Sequence, residues 1–238
     1  MLIYMVILVA YGIYDFGPAR TLPIALSVIP IGAALDYLLH RLQKTSQTGY
    51  PRSGLISVLI VTTLLPLDIG VLSAAAIGIL AIASKHFIRT KNVHIFNPAA
   101  FGACAGVLLF GIPVGWWADS FAWLALLLGI VNVWRIRKFW QVGSFLASYV
   151  LLNLIVNGSF LLQPKHLLVT LPWFFMLFML PEPKTSLRGK KTEIAFGAVV
   201  ATATTAYQFV RIISGAPLLF GLLSANLLRI AKIQSAKK

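Results

Sequence analysis

Ten apolar stretches, separated by short polar turns, take up almost the whole chain. They run 2–16, 21–40, 53–67, 69–87, 95–111, 116–134, 140–157, 163–181, 193–212 and 216–231. So little polar sequence lies between them that a water-facing surface cannot be assembled, and lipid is the expected solvent. Composition agrees. Hydrophobic residues make up 59% of the 238 and charged residues 11%, with a mean hydropathy of +0.88, whereas soluble domains are about a quarter charged. The expectation is an all-α membrane protein of about ten transmembrane or half-membrane helices, with no soluble domain of its own.

A full crossing takes roughly 20 helical residues. Stretches 21–40, 116–134 and 193–212 have that length. Others are short or interrupted. Stretch 53–67 ends at Leu65-Pro66-Leu67-Asp68, and 95–111 opens with Phe96-Asn97-Pro98. Stretch 163–181 contains Pro172 and stops at Pro181-Glu182-Pro183, and the last follows Gly215-Ala216-Pro217. Short, Pro-interrupted stretches at matching places in two halves mark broken helices that line a central site.

Twenty Lys and Arg stand against six acids, a formal charge of +14. The basic residues fall in turns between apolar stretches, which reads as topology rather than nucleic-acid binding. With the N-terminus in the cytoplasm and sides alternating, the inner turns collect Arg41, Lys44, Arg52, Lys85, Arg89 and Lys91. They also collect Arg135, Arg137, Lys138, Lys184, Arg188, Lys190 and Lys191, and at the end Arg229, Lys232, Lys237 and Lys238. Only Arg20, Lys165 and Arg211 fall outside, beside Asp15, Asp68 and Asp119. The expected location is a cell (inner) membrane, multi-pass, with both termini cytoplasmic. The apolar start, Leu2 to Tyr14, has no basic leader and reads as a retained segment.

A weak repeat fits this layout. Asn97-Pro98-Ala99-Ala100-Phe101-Gly102 and Ala216-Pro217-Leu218-Leu219-Phe220-Gly221 share Pro-x-x-Phe-Gly, and Leu108-Leu109 matches Leu227-Leu228 at the same interval. Pro66 and Pro181 pair at a slightly shorter one. Five stretches per half is an odd number, so the second half runs through the membrane upside down. The expected repeats are 1–112 and 116–238 of a single membrane domain.

Polar groups inside apolar stretches are the candidates for chemistry, because lipid makes each one costly. Asp36, near the end of 21–40, suits an interfacial carboxylate paired with Arg41 or a neighbour. Glu182 lies between two prolines and precedes Lys184-Thr185-Ser186, a set able to hold a phosphate or an ion, or to form a membrane-edge turn. Asn97 suits a cap for the helix that Pro98 starts, or an anion site where that helix end faces a cavity. Asn132, Asn153, Asn226 and Thr62-Thr63 suit hydrogen bonds between packed helices. His40, His86, His94 and His166 do not pair across the bilayer and suit interfacial packing. The six Trp cluster near segment ends as an interfacial belt. The single cysteine, Cys104, excludes an intrachain disulfide and cysteine-based metal clusters. No metal site and no soluble-enzyme motif is read.

Several runs carry a family resemblance. They are Ser53-Gly54-Leu55-Ile56 through Leu64-Leu65-Pro66, Gly78 to Lys85, and Ile95-Phe96-Asn97-Pro98-Ala99. Phe178-Met179-Leu180-Pro181-Glu182-Pro183-Lys184-Thr185-Ser186, Phe196-Gly197 and Leu223-Ser224-Ala225-Asn226 add to them. Together they resemble the NqrB/RnfD family, membrane components of the sodium-pumping NADH:quinone oxidoreductase and of Rnf-type ion-translocating oxidoreductases. The resemblance implies two inverted five-helix repeats, like urea-transporter-type channels, and a redox flavin. That family joins FMN to a Thr in a Gly-Ala-Thr-like motif in a long loop between the halves. Here only Gly111 to Gly115 joins them, and Ser214-Gly215-Ala216 runs into Pro217. FMN or riboflavin is therefore expected to bind non-covalently, at Asn97, Pro98, Glu182, Lys184, Thr185 and Ser186.

The implied function is a membrane subunit of an electron-transport complex, coupled to Na⁺ or H⁺ movement. Its partners would be other subunits or a cytoplasmic flavin- or iron–sulfur-bearing reductase, docked on the basic inner face. The alternative is a channel or transporter for a small solute, using the same inverted-repeat pore without redox chemistry.

Overall fold

The computed structural model describes residues 1–43, 52–90, 93–157, 171–186, 189–210 and 216–235. Lys44, Lys91, Lys165, His166, Arg188, Arg211, Ser214, Gly215, Lys237 and Lys238 lie outside the described residues, with 163–170 of the eighth stretch. So do the side chains of Arg229 and Lys232. The described chain is mostly helical and divides between Ala118 and Asp119 into two compact units.

The first unit holds α1 (Leu2–Phe16), α2 (Pro18–Leu42), α3 (Arg52–Leu64), α4 (Val71–Phe87) and α5 (Pro98–Phe110). A hairpin of two short strands, β1 (Arg89–Thr90) and β2 (Val93–His94), precedes α5, and a short α6 (Trp117–Ser120) begins just before the boundary. Met5, Leu8, Val9 and Gly12 of α1 repeat at helical spacing and are buried. Ile24, Ala25, Val28, Gly32 and Asp36 do the same on α2. The outward face is also apolar: Leu26 is 65% and Ile3 70% exposed. Helix α3 has no outward face at all along its second half, since every residue from Ser57 to Leu64 is buried. It packs on α1, α2, α4 and α5 and is the axis of the unit.

Alternation of direction can be read from the contacts. Gly32 meets Val58 of α3 and Ile82 of α4, while Asp36, one turn further along α2, meets Gly54 and Lys85. Helices α2 and α4 therefore run parallel, with α3 antiparallel between them.

The second unit holds α7 (Ala122–Ile136), α8 (Phe139–Asn157), a π-helical turn (Phe175–Met179), α9 (Lys190–Val210) and α10 (Pro217–Ser235). Its packing order repeats that of the first. Helix α9 packs on α8 and α10 as α4 packs on α2 and α5, and the π turn packs on α7 and α8 as α3 packs on α1 and α2. The π turn is buried throughout, like the second half of α3. Its Phe175 meets Phe145 of α8, and Phe174 stacks on Phe178.

Glycines sit at corresponding points in both units. Gly102 of α5 presses on Ile77 and Ala81 of α4, and Gly221 of α10 presses on Val200 and Thr204 of α9. Gly78 faces Val28 of α2, and Gly197 lies against the backbone of Gln141 and Phe145 of α8. Both pairs are separated by the interval at which Pro-x-x-Phe-Gly recurs. A Cβ at Gly102, Gly197 or Gly221 would overlap backbone atoms, so these crossings require glycine.

The helix lengths differ in part from the sequence expectation. Among the described residues, two helices are long and apolar enough to cross a membrane, α2 (25 residues) and the Phe139–Val156 stretch of α8. Stretch 116–134 is instead split, because α6 ends at Ser120 and α7 has 15 residues. Stretch 193–212 becomes a 21-residue helix, α9, that starts earlier, on the polar Lys190-Lys191-Thr192-Glu193.

Candidate functional site

The two Leu-Pro breaks end in the same chemistry. A proline removes one backbone donor and frees carbonyls upstream, and buried carbonyls need partners. At the end of α3, Leu64 O accepts from Gly115 N at 2.7 Å and Leu65 O from the Trp117 indole N–H. At the end of the π turn, Leu180 O accepts from Gln141 Nε2 at 2.6 Å, and Leu177 O from Asn132 Nδ2 at 2.9 Å. Each carbonyl that precedes a break proline is thus capped by a buried side chain. Trp117 is 1% exposed, so it does not belong to the interfacial belt expected of the tryptophans; Trp123, Trp134 and Trp140 are exposed. At the other end of the turn, Phe174 N donates to Asp119 Oδ1 at 2.8 Å.

Asn97 and Pro98 open α5 in the first unit. Ala100 N donates to Asn97 Oδ1 at 3.0 Å, and Pro98 takes the first helical position. This is the capping geometry. Glu182, Thr185 and Ser186 come together in the second unit, in the turn after Pro181. Thr185 Oγ1 donates to Glu182 Oε2 at 3.0 Å, Ser186 N donates to Glu182 O, and Asn226 Nδ2 reaches Thr185 O at 3.4 Å. Thr185 and Ser186 are buried, and the Ser186 hydroxyl has no hydrogen-bond partner. Lys184 is exposed and stands apart from this group. The cluster offers carboxylate and hydroxyl oxygens, with one hydroxyl still unused.

Asp36 of α2 is engaged by two partners at once. It is fully buried, and it pairs with α4 rather than with Arg41, the sequence-based alternative named first. Lys85 Nζ and His86 Nε2 both lie 2.7 Å from Asp36 Oδ1. Arg41 turns to the Tyr37 hydroxyl on its own helix. His86 is therefore part of a charged cluster, not an interfacial packing residue. Its Nδ1 lies 3.1 Å from Gln43 Oε1, which also accepts from Arg89 Nη1 at 2.8 Å. Sequence reading missed this cluster because 49 residues separate Asp36 from Lys85. The parallel course of α2 and α4 was the signal that could have joined them.

A second buried ion pair joins α8 to α9: Lys138 Nζ lies 3.1 Å from Glu193 Oε1. Lys138 is 3% exposed and so is removed from the basic docking face expected of it. Lys190 lies over the Trp140 ring, 4.0 Å from its centre, while Arg135, Arg137 and Lys191 are exposed. Of the other polar candidates, Asn132 bridges α7 and the π turn as expected. Thr62 and Thr63 bond carbonyls of their own helix, and Asn153 Nδ2 donates to Tyr149 O. Cys104 is buried and free. Among the described residues no group of three or more His, Cys, Asp or Glu is placed to hold a metal ion. No family model and no curated protein matches the chain.

Proposed function

We infer that the chain is a membrane-embedded bundle of two inverted repeats, working as the membrane subunit of an electron-transport complex. The observation that carries the architecture is the shared frame of the two units: the same packing order, the same glycine crossings and the same capped Leu-Pro breaks. Exposed apolar side chains support a lipid surround. Leu26, Leu72, Leu127, Trp134, Ile155 and Phe209 are all more than half exposed, far more apolar surface than a water-facing helix carries. The placing of most basic residues in the turns read as inner supports a cytoplasmic side for those turns.

The redox role rests on the resemblance of the Leu-Pro, Asn-Pro-Ala and Pro-Glu-Pro elements to the NqrB/RnfD family of ion-translocating oxidoreductases. The unused Ser186 hydroxyl beside Glu182 and Thr185 suits the polar edge or phosphate of a non-covalent FMN or riboflavin. The partner would be a cytoplasmic reductase meeting Arg135, Arg137 and Lys191. A solute channel is the second reading. It is favoured by Asn97 and Thr185, whose side chains already have partners within the protein.

The visible absorption spectrum of protein purified in mild detergent separates the two. Flavin bands at roughly one per chain support electron transfer. Colourless protein that speeds solute flux into liposomes overturns it and supports the channel.

A further inference from the structure

A groove of about 510 Å³ runs along α8 beside α9, within the second unit. Its size falls in the range of ligand sites, roughly 300–1,000 Å³. Two neighbouring rows of α8 line it at helical spacing, Phe139, Gly143 and Ala147 in one, Trp140, Ser144 and Ser148 in the next. Ile194 of α9 lines it too. From Phe139 to Ser148 the helix rises about 14 Å. The lining side chains are apolar or aromatic apart from the two serines, and the Ser144 hydroxyl is spent on Ile194 O at 2.6 Å. Packing within the protein does not ask for glycine at 143, where a Cβ would meet no atom within 4 Å. A mid-helix glycine is destabilising relative to alanine. Its effect here is to leave the groove open.

The charge lies at one end. Trp140 meets Lys190 and, one turn on, Ser144 meets Ile194, so α8 and α9 run parallel and begin together. Lys190 holds its ammonium 4.0 Å from the centre of the Trp140 ring. Lys191 and Arg137 are exposed at the same end. Glu193, the acid in the first turn of α9, is tied to Lys138, and both are buried. The groove is therefore cationic where the helices begin and apolar along its length.

We propose that this groove seats an acyl chain of an anionic membrane phospholipid, with the headgroup phosphate on Lys190. The inference rests on the membrane reading given under the proposed function and not on the redox one. Charge complementarity selects the occupant. A phospholipid carries its negative phosphate at one end of an apolar chain, the same order in which Lys190 and Trp140 precede Gly143 and Ala147. A soluble anion would leave the apolar length empty. The Trp140 ring holds the ammonium beside the groove, and the ammonium N–H groups are donors that phosphate oxygens can accept. Basic pockets beside transmembrane helices take anionic headgroups in this way, with tryptophan at the level of the headgroups.

The test places the full chain in phosphatidylcholine liposomes that contain a small fraction of lipid brominated on its acyl chains, either phosphatidylglycerol or phosphatidylcholine. Bromine quenches tryptophan emission on contact, and Trp140→Phe identifies the share that comes from Trp140. Brominated phosphatidylglycerol is expected to quench Trp140 at about fivefold lower fraction than brominated phosphatidylcholine, the effect of one lysine near a lipid surface. Lys190→Gln is expected to remove that preference. Gly143→Leu, whose side chain enters open space, is expected to fill the groove and reduce quenching by both lipids. Equal quenching by the two lipids overturns the proposal, as does a preference that survives Lys190→Gln or quenching that Gly143→Leu leaves unchanged. A cross-linked dimer that Gly143→Leu abolishes, with quenching unmoved, shows a second copy in the groove and overturns it as well. Protein that alkaline carbonate strips from the liposomes overturns the membrane reading itself. Protein that stays in and shows no preference overturns the groove assignment alone.

Discussion

The carboxylate of Asp36 fills the space in which a Gly54 side chain would begin. A fully buried acid is thus pressed on a backbone that has no Cβ, and helices α2 and α3 approach as closely as they do for that reason. Gly54→Ala is expected to push the carboxylate off Lys85 and His86 and to cost about 1–3 kcal/mol. Thermal unfolding in detergent reads this as a lowered Tm, and an unchanged Tm would show that the contact is slack.

The Lys138–Glu193 pair should behave as buried pairs do. Lys138→Met alone leaves a charge without its partner and is expected to cost about 3–5 kcal/mol, while Lys138→Met with Glu193→Leu recovers most of that. Denaturant unfolding of the two single variants and the double variant measures the coupling. Additive losses would contradict it.

The side-chain caps on the Leu-Pro breaks can be removed one at a time. Gln141→Leu leaves Leu180 O buried without its donor, and Trp117→Phe does the same to Leu65 O. Each is expected to cost about 1–3 kcal/mol. Hydrogen exchange near residues 175–180 should quicken in the first variant, and near residues 60–65 in the second.

Asn97 and the Glu182 turn make different predictions for a bound flavin. As a cap, Asn97 tolerates Asn97→Asp, and Asn97→Ala costs about 0.5–2 kcal/mol of stability. Glu182→Ala and Ser186→Ala are expected to lower flavin affinity in a fluorescence titration, more than Asp36→Ala does. Equal losses from Asp36→Ala would move the site away from the Glu182 turn.

Much of the frame is legible in the residues alone. Asn97-Pro98 announces a helix start, Leu65-Pro66 and Leu180-Pro181 announce helix ends, and Pro-x-x-Phe-Gly marks two of the glycine crossings. These are local signals, since proline and glycine act on the backbone within a turn of themselves. The partners are not legible. Nothing near Asp36 points to Lys85, nothing near Lys138 points to Glu193, and nothing marks Trp117 rather than Trp116 as the buried indole. Such pairings depend on which helices run side by side, and that is decided by packing across long intervals. The split of 116–134 escapes for a related reason: an unbroken apolar run says nothing of the bend before Ala122.

The glycine crossings have a consequence for how freely this chain can vary. At Gly102, Gly197 and Gly221 the helices are spaced by main-chain contact, so these crossings do not depend on the polar groups carried elsewhere on the helices. One unit holds an acid with a lysine and a histidine, the other a lysine with a glutamate, on the same arrangement of helices. At these crossings the spacing is set by glycine backbones, while the ion pairs are set by the side chains between them.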